Sequence, residues 1–398
     1  MKLVFISNYM TMHQLPFCLE LYNELGDDFT FIEVDEIEAE RVNMGWQSDF
    51  KKYSFIKKYE DASSPLLIEN CDVLLCGSVH ICYIKNRLKG DKITFRYFER
   101  LYKKGRIHAL SPRGYIRKLM EHTWTRNKNV YLLCAGAYVP ADFDMFFSYP
   151  GRKLKWGYFP KGEDLSFEEL MAIKKKNDKA NILWTGRFLK WKQPVMVVLM
   201  AQLLRLKAFD FHITMIGDGE EKAEVEKYIE YYELSDYITL LGFMDASRVR
   251  EYMRQADVYI CTSNFAEGWG AVINEAMSSA CEVVASAGAG ASGYLITHEF
   301  NGLIYDTFDP EDLCHEVMKV LWDKKFAHDI ALNGYETMRD EWSPKEAATR
   351  FLEMSNSLMA GEGLLPYEHG PLSMAYKLAP ANGYYCFTAD CGESIWRE

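Results

Sequence analysis

The segment Ala256-Asp257-Val258-Tyr259-Ile260-Cys261-Thr262-Ser263-Asn264-Phe265-Ala266-Glu267-Gly268-Trp269-Gly270-Ala271-Val272-Ile273-Asn274-Glu275-Ala276-Met277 carries the pattern that decides the fold. Val258–Cys261 is a short apolar run with the length of a buried strand. It gives way to a loop of Ser, Asn and Gly, and helical spacing resumes near Gly270. A buried strand that turns through such a loop into a helix is the repeating unit of a parallel sheet covered by helices. Backbone N–H groups at a helix start lack intrahelical acceptors and carry partial positive charge, which suits a diphosphate. Gly268 and Gly270 let ligand atoms approach the main chain closely. Glu267 in the loop and Glu275 in the helix are eight positions apart. Phosphate repels a carboxylate, so both are expected to accept hydrogen bonds from hydroxyls instead.

The same alternation extends in both directions. Toward the N-terminus, strands are expected at Leu3–Ser7, Phe29–Val34, Val73–Cys76, Ile93–Phe98 and Val130–Cys134. A helix after the first strand presents Leu15, Leu19, Leu21, Tyr22 and Leu25, and Gly26 closes it. The loops Gly77-Ser78, Glu99-Arg100 and Gly136–Tyr138 then fall at carboxyl ends of strands, where doubly wound sheets bind ligands. Lys153–Pro160 and the charged run to Lys179 read as a connection. The pattern restarts at Ile182–Thr185 and continues through Phe211–Ile216, Ile238–Leu241, Glu282–Ala285 and Leu303–Tyr305. Ser343 followed by Pro344 marks a last helix start. The expectation is an N-terminal domain over 1–165 and a second over 166–345. Residues 346–398 form a helix and tail that pack back on the first domain, the tail from Gly361 having no assigned role.

Composition narrows the classes. With 398 residues and 48% hydrophobic content, two cores are affordable, and 26% charged residues match a soluble α/β protein. The formal net charge of −11 argues against nucleic acid as a partner. The ten cysteines show no CxxC pair, and Cys76, Cys134 and Cys261 end apolar runs, as core thiols do. That usage fits a reducing cytosol; Met1–Ser7 is too short an apolar run for a signal peptide, so none is expected, and no run approaches about 18 apolar residues. Lys103-Lys104 and Lys174-Lys175-Lys176 read as solvated charge, with a local contact to a membrane surface as the alternative.

The central segment resembles the E-x7-E element of retaining GT-B glycosyltransferases, the large family 4 of that classification. Three other stretches resemble the same family in the same order. Thr185-Gly186-Arg187 with Lys192 is similar to its basic clamp on the donor diphosphate. Ile216-Gly217-Asp218-Gly219-Glu220 is similar to its glycine-rich turn, and Leu241-Gly242-Phe243-Met244 to the segment whose main chain meets the donor base. Together they span about residues 180–325. The resemblance implies two Rossmann-like domains facing a central cleft. It implies transfer of a hexose or related sugar from a nucleotide-diphosphate donor, with UDP the expected nucleotide, to a hydroxyl of a glycan or lipid-linked acceptor, with retention. Glu267 would hold sugar hydroxyls and Glu275 the ribose. Arg187 and Lys192 would neutralise the leaving phosphate, and Gly268, Trp269, Gly270 and Ala271 would complete the donor site. Fixed cations and N–H groups stabilise a departing diphosphate without reorganisation, so neither a cofactor nor a metal is expected.

Blander readings stand beside these. Singly, Glu267 and Glu275 read as surface or capping residues, Arg187 and Lys192 as surface cations, and Trp269 and Phe265 as core. The joint pattern favours a site. Asp142-Phe143-Asp144 has the D-x-D spelling of a divalent-cation site, but a capping or surface role is preferred. His13, beside Gln14 after the first strand, is a candidate for sugar contact; His80, His108 and Glu99 compete for it. Ser7–His13 lacks the paired glycines many family members carry there. Glu99-Arg100 and Lys155–Tyr158 resemble spellings from bacterial surface-polysaccharide assembly. A nucleotide-sugar epimerase on the same fold and a non-catalytic binding scaffold are the alternatives.

Overall fold

The computed structural model describes residues 1–37, 50–103, 111–174 and 179–378. The chain forms two compact units, one holding Met1–Lys161 and the chain again from Trp342, the other continuous over Gly162–Glu341. The crossings thus lie a few residues ahead of the expected boundaries at 165 and 345.

The first unit is built on seven strands: β1 (Leu3–Ser7), β2 (Phe29–Glu33), β3 (Ile56–Lys58), β4 (Val73–Cys76), β5 (Thr94–Phe98), β6 (Val130–Ala135) and β7 (Lys153–Trp156). They pair in parallel in the order β3-β2-β1-β4-β5-β6-β7. The inner strands β1, β4 and β6 are buried along their whole length. That explains why they read as unbroken apolar runs: helices cover both faces of a parallel sheet. The outermost strands are different. Lys153–Trp156 reads as a connection because its two lysines interrupt the apolar pattern, yet it is β7, a sheet-end strand where lysines are tolerated. Its open side is filled by the chain's own returning segment. Leu154 bridges Met374 in antiparallel fashion, and Lys155 and Ala375 donate to the carbonyls of Ser373 and Lys153 at 2.8 and 2.9 Å.

The helix Leu15–Leu25 buries Phe17, Cys18 and Leu21 most deeply and ends at Gly26 with φ 55°. The expected face placed Leu15, Leu19, Tyr22 and Leu25 inward; these four are only half-buried. Phe17 meets Trp156 edge-on with ring centroids 5.3 Å apart, and Phe351 lies 4.8 Å from Phe95. Phe351 sits in the helix Pro344–Ala360, whose first turn is capped by Ser343 accepting from the Glu346 amide at 3.2 Å. The last helix therefore supplies part of the first unit's core.

The second unit holds β8 (Ala180–Thr185), β9 (Phe211–Ile216), β10 (Ile238–Leu240), β11 (Val258–Cys261), β12 (Glu282–Ser286) and β13 (Leu303–Tyr305). They form one parallel sheet in the order β10-β9-β8-β11-β12-β13. Ile182, Trp184, Ile213, Met215, Val258 and Ile260 fill its core with the helices Val195–Leu206 and Pro310–Trp322. From β8 the chain winds outward through β9 and β10, then crosses back to β11 and winds the other way. Loops leaving β8 and β11 diverge at that crossover, which opens a crevice at the carboxyl ends of the strands.

Among the described cysteines, Cys76, Cys134 and Cys261 are buried free thiols, and burial pushes all three thiols up in pKa. Lys174 corrects its expectation. Instead of being solvated it is buried, with its ammonium donating to the carbonyls of Ala256 and Met253. Lys104, Lys175, Lys176 and His108 lie outside the described residues. Among the described residues, no helix is long and apolar enough to cross a membrane.

Candidate active site

The crevice of the second unit is made by two loops that flank the crossover. The first, Gly186–Gln193, leaves β8 and ends in a short turn, Lys190–Lys192, closed by Gln193 in left-handed conformation at φ 49°. The second, Thr262–Ala271, leaves β11 and enters the helix Val272–Ser278. Trp184 donates its indole N–H to the Thr262 hydroxyl at 2.9 Å, and the Asn264 amide donates to the Trp191 carbonyl at 2.9 Å. The two loops are thereby tied together from beneath.

This bracing brings Lys192 to Glu267. The Lys192 ammonium donates to Glu267 Oε2, and the Ser263 hydroxyl donates to the same oxygen at 3.0 Å. The two side chains are 15% and 12% exposed, so the pair is shielded yet reachable. Lys192 also lies over the Trp191 ring at 4.6 Å. Gly270, at φ 95°, sits where an added Cβ would stand 3.5 Å from Glu267 Cγ. Arg187 is exposed in the first loop, and among the described residues no carboxylate pairs with it. Two cations, one held by a carboxylate and one open, thus stand at the carboxyl end of the central strands.

The glycine-rich turn has a reason of its own. A Cβ on Gly217, at φ 141°, would lie 1.9 Å from the Gly186 carbonyl oxygen, and one on Gly219, at φ 151°, 2.5 Å from that of Phe188. Phe188 donates to Asp218 at 2.8 Å and Gly217 to the Gly242 carbonyl at 2.8 Å. These glycines are required first by loop-on-loop packing, which sets the course of the Arg187 segment. Gly242 has φ 67° with open space around it; Phe243 beside it is 57% exposed and Met244 half-buried.

Trp269 has a role other than ligand contact by its ring. Its side chain is 1% exposed, and its indole N–H donates to Asn274 Oδ1 at 2.8 Å. Its carbonyl accepts from the Ala291 amide at 2.8 Å. Gly268 is buried and Ala271 precedes the helix. Glu275, in the first helical turn, is 19% exposed and stands 4.0 Å from Arg250, which is 3.9 Å from Glu163.

Sequence reasoning passed over the loop after β12. Gly288 packs so tightly that a Cβ would be 2.9 Å from the Asn264 carbonyl carbon and the Phe265 nitrogen. The run Ser286-Ala287-Gly288-Ala289-Gly290-Ala291-Ser292, small residues directly after an apolar strand, was the available signal. Ser263 lay inside the quoted segment, but only its fold-back to Glu267 reveals its part.

The remaining candidates lie in the first unit. His13 stacks on Tyr158, with ring centroids 5.8 Å apart and planes 18° from parallel. Tyr158 donates its hydroxyl to Glu99, which also receives the Lys103 ammonium. His80 instead caps a turn, its Nδ1 accepting from the Cys82 amide at 3.3 Å. Asp142-Phe143-Asp144 is no cation site. Asp142 is fully buried, where a capping or surface role was expected. It accepts from the amides of Leu101 and Tyr102 at 3.0 and 3.3 Å, while Asp144 pairs with Lys153 at 2.8 Å. Among the described residues His298, Glu299 and Glu316 form another cluster with metal-ligand atoms close together. There the Lys319 ammonium already bonds both glutamates at 2.6 and 2.9 Å, and His298 Nδ1 accepts from the Ile304 amide. A ligating histidine donates its second nitrogen rather than accepting with it, so this cluster does not fit a metal.

Residues 166–337 match the family of glycosyl transferases group 1. An uncharacterized glycosyltransferase of Methanocaldococcus jannaschii is 28% identical over 131 residues, 33% of this chain and 36% of that protein. The lipopolysaccharide core biosynthesis glycosyltransferase LpsE of Rhizobium meliloti is 24% identical over 177 residues, 44% of this chain and 50% of its own length. The chain thus spans half or less of the curated relatives it matches. The structure of Anabaena HepE in complex with UDP and glucose covers 90% of this chain and all of that one, with TM-score 0.61 and 14% identity. The fold is GT-B.

Proposed function

We propose that the protein is a retaining, metal-independent glycosyltransferase of family 4 type. It moves a hexose or related sugar from a UDP-linked donor to a hydroxyl of a glycan or lipid-linked acceptor, in surface-polysaccharide assembly. The observation that carries this reading is the Lys192–Glu267 pair, joined by Ser263, at the crossover of the second sheet. A carboxylate held by an ammonium is positioned to accept from sugar hydroxyls, and the same ammonium lies where a departing phosphate needs compensation. Arg187 adds a second fixed cation. In this reading these two residues take the part a divalent cation plays elsewhere. Glu275, in the first turn of its helix, takes the ribose hydroxyls, with Arg250 orienting its carboxylate. The leaving phosphate accepts the acceptor's proton on the same face, which yields retention. His13, stacked on Tyr158, is the candidate for sugar contact within the first unit. HepE's complex with UDP and glucose supports the choice of nucleotide.

Thermal denaturation with UDP, GDP, ADP, CMP and TDP, each with and without EDTA, tests the donor site. At a ligand concentration 100 times its dissociation constant, stability rises by about 2.7 kcal/mol. The reading expects one diphosphate to stabilise the chain, EDTA to leave the shift unchanged, and Arg187→Ala and Glu275→Ala to abolish it. Stabilisation by no nucleotide sinks it.

A further inference from the structure

The helix Pro112–His122 of the first unit has two apolar sides, and only one is used. Its inner side carries Tyr115 and Leu119 against Phe146, with the Tyr115 hydroxyl donating to the Met145 carbonyl at 3.1 Å. Its outer side carries Ile116, Met120 and, in the turn that follows, Trp124. They are 55%, 71% and 39% exposed. Spacing of four residues lines all three along one stripe. Isolated exposed apolar residues need no explanation, but a contiguous stripe marks a contact surface.

Charge identifies what the stripe faces. Arg113 and Arg117 are exposed on the same side, and Arg126 follows just beyond Trp124. Residues 111–128 contain Arg113, Arg117, Lys118, Arg126 and Lys128 against the single carboxylate Glu121, a net of five minus one, or +4, in a chain of net charge −11. That carboxylate is itself engaged, 3.1 Å from Lys118 and 3.9 Å from buried Arg96. Apolar residues flanked by arginines on a short helix match the interface of an anionic bilayer: side chains enter the acyl boundary while guanidiniums meet phosphates. A symmetric second copy would set the basic patch against itself. We infer that this outer face docks the protein on an anionic lipid surface, with the helix axis in the membrane plane. The inference does not rest on the donor chemistry, since the helix lies in the other unit.

Flotation of the full chain with vesicles tests it. The chain is expected to float with phosphatidylcholine vesicles containing about a third phosphatidylglycerol and to remain below with phosphatidylcholine alone. Raising salt should weaken the association. Met120→Glu should reduce bound protein by about tenfold or more, because it drives a charge into the interface. Arg113→Glu with Arg117→Glu should each contribute about fivefold on anionic vesicles. Melting temperature and UDP-induced stabilisation, measured on the same variants, should stay at wild-type values; this separates loss of docking from loss of fold or of the donor site. Failure of the wild-type chain to float, or Met120→Glu floating as well as wild type, overturns the inference. So does sedimentation showing a wild-type dimer that Met120→Glu converts to monomer, since the stripe would then face a second copy.

Discussion

Glu267→Gln separates a residue that holds substrate from one that merely holds a loop. The Lys192 ammonium is engaged by Glu267, and both side chains are between a tenth and a sixth exposed (12% and 15%). Breaking such a pair lies between the near-zero value of surface pairs and the 3–5 kcal/mol of buried ones. Lys192→Gln strands the carboxylate with only the Ser263 hydroxyl and should cost about 1–2 kcal/mol. Glu267→Gln leaves an ammonium that water still reaches, and should cost about 1 kcal/mol or less. The double variant should recover about 1 kcal/mol relative to the sum, because it leaves no stranded charge. Binding should diverge from stability. Removing the carboxylate frees Lys192 for phosphate, so UDP should bind Glu267→Gln as tightly as wild type or a few-fold tighter, whereas Lys192→Gln weakens it. Sugar transfer should fall by about 10²–10³ in both. Calorimetric titration with UDP and single-turnover transfer, run beside chemical denaturation, provide all the values. Parallel loss of UDP affinity and transfer in Glu267→Gln would refute the argument, because the glutamate would then be supporting the loop rather than the sugar.

Gly217→Ala places a methyl where the Gly186 carbonyl lies, at a φ that only glycine adopts readily; it should cost about 2–3 kcal/mol and abolish UDP stabilisation, read from melting curves with and without nucleotide. Asn274→Ala leaves the buried Trp269 N–H without its acceptor, and urea denaturation should show a loss of about 1–3 kcal/mol. Burial and the neighbouring Asp257 push the Glu282 carboxyl up to about 8. The folded state therefore holds a proton that the unfolded state releases near its ordinary 4.5, and stability falls as pH rises through that window. Glu282→Gln should flatten this decline and raise the melting temperature at pH above 8, where no gain would contradict the assignment.

The inner strands were readable because burial on both faces leaves an uninterrupted apolar run, as in Leu3–Ser7 and Val258–Cys261. Lys153–Trp156 was not, since a strand at the sheet's end carries lysines and shares its pattern with loops. Glu267, Lys192 and the glycines were singled out by resemblance to a family's motifs, which does not say what holds them in place. The positions of Gly217 and Gly219 follow from carbonyl oxygens of a loop some thirty residues earlier, which no local pattern encodes. Lys174 and Asp142 misled in the same manner. A charged residue in a polar run reads as solvated, and only distant backbone groups, those of Ala256 and Leu101 here, make its burial tolerable.

The path of the chain through its units has a consequence for synthesis. The second unit is one continuous stretch, Gly162–Glu341, and can fold as soon as it leaves the ribosome. The first cannot finish then. Phe351 is still to come, so Phe17, Phe95 and Trp156 wait without one of their partners. The open side of β7 also stays bare until Leu372–Ala375 emerge. The part made first is thus completed last, and a nascent chain stalled between residues 341 and 372 would carry a folded second unit beside an unfinished first one with an unprotected sheet edge. Ribosome-associated factors would meet the protein in that state.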